Sequence, residues 1–297
     1  MKVSYIILTR NRRADVLENL ALLRQQKHQK NDAEPEVVLV DNGSEDGTVS
    51  AVKKKHAYVK CVENKKNLGV AGGRNVGIKA ATGELLFFID DDAVLRDPDA
   101  TKKVVTKFEQ DPKLGILGFQ ERSYYDPQVL AQWCYGRKRA REWATREFDA
   151  WTFPGVGHAI RYTVFEKCGL YPERYFYATE EIDLALRSLD AGWRIAYTPE
   201  VKIYHKVSPQ TRANFRYYFD LRNNIWLAMR LLPWWYGVPR VIGFTGLVTL
   251  KAVRTPQHLP RVLHAWRDAW RARREVLHER QPIKSATLRH IRELRRA

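Results

Sequence analysis

The sequence predicts an α/β fold, with a mainly parallel central sheet covered by helices on both faces and a helical extension at the C-terminus. Three observations carry that expectation. Strand-like and helix-like segments alternate through the first 110 residues. The strand segments are nearly continuous apolar runs, as expected of strands buried on both faces. After Lys206 the pattern turns helical and stays so to the end. Strands that alternate with helices pair in parallel, because the crossover helix returns the chain to the same edge of the sheet.

Val3–Thr9 is the first apolar run and reads as a buried strand. Residues 14–26 predict a helix, with Val16, Leu20 and Leu23 at helical spacing. Glu36–Asp41 predicts the second strand, stopped by the turn pair Asn42-Gly43. Ser44 or Asp46 is placed to cap a helix running through Lys55. Residues 58–63 predict a third strand, 75–81 a helix ended by Gly83, 84–90 a fourth strand and 98–110 a fourth helix. The stretch 111–200 is less regular. It holds a strand signal at 115–119, a Trp-rich segment at 133–151 and a helix from Glu180 to about Asp190. Pro233, Pro239, Pro256 and Pro260 divide the final helical region into pieces.

In a sheet of this kind ligands bind beyond the carboxyl ends of the strands. That edge is expected to carry Thr9, Asp41 and Asp90 to Asp92, so three strand ends deliver polar groups to one rim. The expected organisation is one domain over 1–210, made of two halves (1–110 and 111–210), followed by a basic, Trp-rich helical extension over 211–297.

Composition narrows the class. The chain has 297 residues, 44% of them hydrophobic, which is enough for a sizeable core. Cys61, Cys134 and Cys168 are scattered without a CxxC pair, against a disulfide framework or structural zinc site and in keeping with a reducing compartment. The apolar run at 3–8 meets Arg10, Arg12 and Arg13 at once, so it does not read as a secretory leader. Residues 241–250 are too short a run to span a bilayer. Charge is uneven. Residues 201–297 hold 20 Lys+Arg against 5 Asp+Glu, whereas residues 1–200 are nearly neutral, with 31 against 29. The basic third calls for a polyanionic partner: lipid headgroups, nucleic acid or a phosphorylated substrate.

Four segments carry chemistry. Phe87-Phe88-Ile89-Asp90-Asp91-Asp92 runs an apolar strand straight into three carboxylates. Adjacent acids repel unless a cation compensates them, and carboxylate oxygens suit Mg²⁺ or Mn²⁺. The bland alternative is a solvated turn. Residues 67–75, Asn-Leu-Gly-Val-Ala-Gly-Gly-Arg-Asn, read as a glycine-rich phosphate loop with Arg74 as an anion partner, or as a plain turn. Residues 177–187 place Glu180 and Glu181 in the first turn of a helix, where acids also simply favour the macrodipole. The functional reading makes one glutamate a general base. Asp183 and Arg187 are spaced to pair, and His205 after the strand-like run 201–204 is a candidate metal ligand.

Taken in order, these segments resemble the family 2 glycosyltransferases, rhamnosyltransferase-like branch, over residues 2–225. The segment 3–12 resembles the family's opening strand, 38–47 its nucleotide-binding turn, 67–75 its Asn-x-Gly…Arg-Asn loop and Asp90-Asp91-Asp92 its Asp-x-Asp motif. Pro154-Gly-Val-Gly-His-Ala-Ile-Arg161 and Cys168-Gly-Leu-Tyr resemble an acceptor-side segment. Glu180-Glu-Ile-Asp-Leu184 resembles the acidic catalytic motif, and His205 and Tyr218-Phe-Asp-Leu-Arg222-Asn223 match later motifs.

The resemblance implies a GT-A fold, a UDP- or dTDP-sugar donor, Mn²⁺ or Mg²⁺, and an inverting transfer of rhamnose or another hexose to a glycan or lipid-linked glycan in bacterial-type surface-polysaccharide synthesis. It implies a donor site of Thr9, Asn11, Arg12, Asp41, Asn42, Gly69, Arg74, Asp90 and Asp91. It implies metal ligation by Asp92, Asp90 and His205, and an acceptor side with Gly155, Gly157, His158, Asp183 and Arg222. Glu181 is the expected base. Relatives often have Glu-Asp here, so Glu180 stays an alternative. The expected location is cytoplasmic and peripheral to the inner face of the plasma membrane, through C-terminal helices on anionic lipid. The rival to lipid contact is packing of those helices on the catalytic domain. Two other functions are weighed. A sugar nucleotidyltransferase lacks its glycine-rich basic opening motif near residue 10. A nucleic-acid binder is disfavoured by near-neutral residues 1–200, so no nucleic acid is expected as partner.

Overall fold

The computed structural model describes residues 1–27, 34–136, 140–206 and 209–296. In chain order the elements are β1 (Val3–Thr9), α1 (Arg13–Leu23), β2 (Glu36–Asp41), α2 (Thr48–Lys55), β3 (Lys60–Glu63), α3 (Gly69–Ala80), β4 (Leu85–Asp90), β5 (Ala93–Leu95), α4 (Ala100–Gln110) and β6 (Leu114–Ser123). Then come α5 (Ala140–Trp143), β7 (Phe148–Asp149), β8 (Gly157–Arg161), α6 (Tyr162–Cys168), α7 (Glu180–Asp190) and β9 (Arg194–His205). The C-terminal helices are α8 (Pro209–Leu231), α9 (Trp234–Arg254), α10 (Leu259–Arg271), α11 (Arg273–His278) and α12 (Ser285–Arg296).

The described strands form one sheet in the order β3-β2-β1-β4-β8-β6-β9-β5, with β7 beside β9. The N-terminal half, β3-β2-β1-β4, is parallel as expected. The other half is mixed: β8 runs antiparallel to both β4 and β6, while β6 and β9 are parallel. The expected mainly parallel sheet thus holds for the first four strands. β8 enters after the long stretch 124–156, where among the described residues the only helix, α5, has four residues and is too short for a crossover that would turn it parallel.

Alternate residues of a strand face opposite sides of a sheet, and here both sides are apolar. Tyr5 and Ile7 of β1 and Phe87 of β4 pack with α1 and α4 through Val16, Leu20, Val104 and Phe108. Ile6, Leu86 and Phe88 pack the other way, against Ile78 of α3, Phe165 of α6 and Leu184 of α7. The C-terminal helices share their core with this body. Tyr175 packs with Leu221, Ile225 and Trp226, and Leu186 of α7 packs with Leu227 and Leu231.

Two boundaries differ in a way that matters. The glycine-rich segment expected to be a loop is the first half of α3, which begins at Gly69. Its glycines serve packing: a Cβ on Gly73 would come within 2.3 Å of Leu8, and one on Gly77 within 2.5 Å of Ile6. Glycine costs about 1 kcal/mol in a helix, and the close approach to β1 requires it. β9 is also far longer than the four-residue signal expected, because Pro199 falls at an irregularity in its pairing with β6 that the local pattern does not span.

Gly77→Val forces a branched side chain into the contact between α3 and β1. It should cost at least about 1–3 kcal/mol, read as a lower urea midpoint at unchanged slope. An unchanged midpoint would remove this packing account of the helical glycines.

Candidate active site

Register brings the three expected strand ends together. Thr9 pairs with Asp41 across β1 and β2, and Leu8 pairs with Asp90 across β1 and β4. The rim opens into two adjoining clefts. One is lined by Thr9, Arg12, Asn42, Gly69, Asp90, Asp91 and Asp92, with Phe176 and Phe219 opposite. The other is lined by Arg74, Asp90, Glu121, Gly155, Glu180, Glu181 and His205, with Trp133, Tyr135, Trp151 and Phe153. Asp90 belongs to both.

Arg74, buried, is the hub. Its guanidinium donates to Glu181 at 2.8 Å, to Asp90 at 3.2 Å and to the carbonyl of Gly155 at 2.8 Å, with Glu180 at 3.8 Å. Burial alone would depress its pKa, but Glu181, Asp90 and Glu180 outweigh that and hold it protonated. Gly155 is small by necessity, since a Cβ there would stand 2.2 Å from Glu181 Oε1.

Asp90, Asp92 and His205 each offer a ligand atom, and these atoms lie within 4.8 Å of one another. His205 Nδ1 lies 2.6 Å from Glu121 Oε1, and Nε2 faces Asp92 Oδ1 at 3.2 Å. Burial disfavours charge on His205, but hydrogen bonds to Asp92 and Glu121 raise its pKa to about 9. Burial and then the charge of Asp92 push Asp91 to about 7, opposed by the Thr9 hydroxyl at 2.8 Å and by Arg12. Burial also raises Asp90, against Arg74. Two hard oxygen donors, an imidazole oriented through its other nitrogen by Glu121, and acids that resist ionising together suit a divalent cation such as Mn²⁺ or Mg²⁺.

Glu180 and Glu181 differ. Glu181 is partly exposed in the second cleft and bonded to Arg74. Glu180 is buried, its Oε2 has no hydrogen-bond partner among the described residues, and burial followed by the charge of Glu181 holds its carboxyl above the usual range.

Several expected site residues sit elsewhere. Arg74 lines the second cleft, not the cleft of Thr9 and Asp91, and its donors are spent on protein acids. Asn11 closes a turn: its amide donates to Ser44 Oγ and its side-chain oxygen accepts from the Glu45 amide, both at 2.8 Å. Asp41 accepts from the Ser44 amide at 2.9 Å, and its Oδ1 is buried without a partner among the described residues. His158 is fully buried between Phe88 and Phe153 and bonded to the Pro154 carbonyl, so burial keeps it neutral and it lines neither cleft. Gly157 packs on Ile203. Asp183, wholly buried, pairs with Arg187 and Arg230 and accepts from Tyr175. Arg222 is covered by Tyr218, Phe219 and Trp226 and donates to the carbonyls of Arg174 and Tyr175. These four belong to the frame around the cleft.

The frame explains a missed residue. Phe176, Ala178 and Thr179 have φ of 62°, 66° and 77°, the left-handed region that costs non-glycine residues energy. This strained loop leads directly into Glu180. Asn223 of α8 restrains it, donating from Nδ2 to the carbonyls of Tyr175, Tyr177 and Ala178 at 2.8–3.1 Å. Glu121 was missed too, being an isolated acid in an apolar strand. The aromatic wall had a signal in the Trp-rich stretch.

The sequence model of "Glycosyl transferase family 2" matches residues 4–169. The O-antigen chain rhamnosyltransferase RfbN of Salmonella typhimurium is 27% identical over 234 residues, 74% of this chain and 71% of that protein. An uncharacterized glycosyltransferase of Bacillus subtilis, YfnE, is 36% identical over 127 residues; the match covers 42% of this chain and 31% of YfnE. Among solved structures, S. aureus TarS 1-349 in complex with UDP-GlcNAc aligns with a TM-score of 0.63 at 18% identity, over 94% of this chain and 84% of that one. The mannosyltransferase PcManGT from Pyrobaculum calidifontis, in complex with GDP-Man and Mn²⁺, aligns at 0.59 and 22% identity, over 91% and 75%.

Asn223→Ala leaves carbonyls of the strained loop unpaired. It should cost about 1–3 kcal/mol in denaturant titration and speed proteolysis within 175–180. Unchanged stability and cleavage would mean that Asn223 does not restrain the loop.

Proposed function

Because this chain belongs to glycosyl transferase family 2 and has the GT-A fold of its structural neighbours, we propose that it transfers a hexose, rhamnose among the candidates, from a UDP- or dTDP-sugar to a hydroxyl of a glycan or lipid-linked glycan. The observation that carries the reading is Arg74, which ties Glu181 to Asp90 at the wall between the two clefts. A metal-binding acid and a candidate base are thereby held in one frame.

The donor occupies the cleft of Thr9, Arg12, Asn42 and Gly69, with Arg12 as the guanidinium that faces the diphosphate. Arg12 pairs with Asp91 and Asp92 at 3.7 and 3.4 Å and is only half-buried, so phosphate oxygens can compete for it. Asp90, Asp92 and His205 would hold Mn²⁺ or Mg²⁺, which when bound would neutralise charge on the departing diphosphate. Asp41 serves the base pocket through its unpaired Oδ1, and Asp90 stands near the ribose. The acceptor occupies the aromatic cleft lined by Trp133 and Trp151.

Glu181 takes the proton from the acceptor hydroxyl as its oxygen attacks the anomeric carbon. Glu180 beside it is buried and resists ionisation. Direct attack by one acceptor oxygen inverts the anomeric centre. The polysaccharide-related names of relatives such as RfbN support a role in surface-glycan assembly. With the basic C-terminal helices, they support a place at the inner face of the plasma membrane. Residues 1–210 carry most of both clefts, Phe219 and Asp220 of α8 complete them, and the rest of 211–297 braces and docks them.

Glu181→Gln should lower transfer by about 10²–10⁴-fold while keeping nucleotide binding. Full activity would remove Glu181 as base. EDTA or Asp92→Ala should abolish the melting shift given by UDP or dTDP with Mn²⁺, and a shift that survives either would remove the metal assignment.

A further inference from the structure

We propose that α9 docks this protein flat on an anionic lipid surface through its outward face. The inference deepens the membrane side of the proposed function and rests on it for its biological purpose, though lipid binding can be read without donor or acceptor.

Trp235, Val238, Ile242, Leu247, Leu250 and Val253 are all exposed, Ile242 by 68% and Trp235 by 58%. At 100° per residue they fall on one half of the helix, and they span 18 residues, about 27 Å at 1.5 Å each. The opposite half is used: Thr245 and Ala252 are buried, and Val241, Phe244 and Val248 pack onto the core of α8 and α10. Soluble surfaces rarely leave so long an apolar stripe uncovered. Among the described residues no helix is long and apolar enough to cross a membrane, and one half of α9 is already packed against protein. In-plane insertion of the free half suits this geometry.

Charge selects the occupant. No Asp or Glu occurs between Leu221 and Arg267. Lys251 and Arg254 are exposed at one end of the stripe. At the other end Arg280 lies 3.7 Å from the centre of the Trp234 ring and Arg292 5.7 Å from that of Trp235. Beside it, α10 exposes Trp266 and Trp270, the latter under Arg273. A basic rim around an apolar stripe matches anionic headgroups over acyl chains. A second copy would bring the same net charge of +15 from residues 201–297 against its like.

The experiment is flotation of the full chain with vesicles of phosphatidylcholine alone or with 30% phosphatidylglycerol. It is run beside the uncharged double variant Ile242→Ser/Leu250→Ser, with light scattering of both proteins in lipid-free buffer. Wild type should float with the anionic vesicles, and the variant should bind at least tenfold more weakly. Wild type that stays with the lipid-free fraction, or a variant that floats equally, overturns the proposal. So does a lipid-free dimer that the variant abolishes, which assigns the face to a second copy. The UDP–Mn²⁺ melting shift is taken on the same samples. Vesicle binding without that shift upholds α9 docking and counts against the donor reading alone.

Discussion

Compensation of negative charge at the carboxyl edge of the sheet is the constraint on which the rest depends. Seven carboxylates, those of Asp90, Asp91, Asp92, Glu121, Glu180, Glu181 and Asp220, line the clefts, against Arg10, Arg12, Arg74 and His205. The molecule meets the imbalance in three ways. It buries Arg74 among acids, it raises Asp91 and Glu180 so that they resist charge, and it sets His205 between Asp92 and Glu121. Removing one partner from such a buried set typically costs 3–5 kcal/mol, because the remaining charges are left uncompensated. A divalent cation among Asp90, Asp92 and His205 relieves the same imbalance while binding phosphate, so one electrostatic need shapes both the fold's edge and its ligand preference.

The second dependence runs through the backbone. The Glu180–Glu181 pair reaches Arg74 because three residues before it, Phe176, Ala178 and Thr179, accept left-handed φ values. Gly69 makes room for that loop: a Cβ there would stand 2.3 Å from the Phe176 carbonyl oxygen. Val70 donates its amide to the same carbonyl at 2.6 Å. From the other side Asn223 and Arg222 hold the carbonyls of Arg174, Tyr175, Tyr177 and Ala178. A strained loop persists only when its surroundings over-determine it. Here the surroundings are the start of α3 and the middle of α8, so the C-terminal helices take part in shaping the site.

Sequence patterns carried the local part of this and missed the non-local part. β1, β2 and β4 were legible because apolar runs ending in polar residues are local signals, and their common edge follows from parallel pairing. The acidic triplet and the paired glutamates were legible because neighbouring like charges require a reason. The helical character of residues 69–74 was not, since glycine reads as a turn unless one knows that Ile6 and Leu8 press against it. His158, Asp183 and Arg222 were assigned to the acceptor from their order in the chain. Their burial against Phe88, Arg230 and the Tyr175 carbonyl depends on pairings between residues 47 to 70 positions apart, which no window of sequence displays. Glu121 was invisible for the same reason, because its partner His205 lies 84 residues away.

The division of charge along the chain then acquires a physical sense. A basic surface near an acidic, cation-dependent cleft would draw anions away from it if the charges were mixed. Instead the acids are sunk in concave walls, where a low dielectric strengthens their grip on a cation and its phosphates. The bases lie on exposed helices, where salt screens them within about 10 Å. Buried charge acts on a bound ligand at short range, whereas exposed charge acts on an extended surface that presents many anions at once. On the proposed reading, in which a soluble donor meets an acceptor at an anionic surface, keeping those two kinds of electrostatics apart serves both. Here the separation falls where the sheet ends and the C-terminal helices begin.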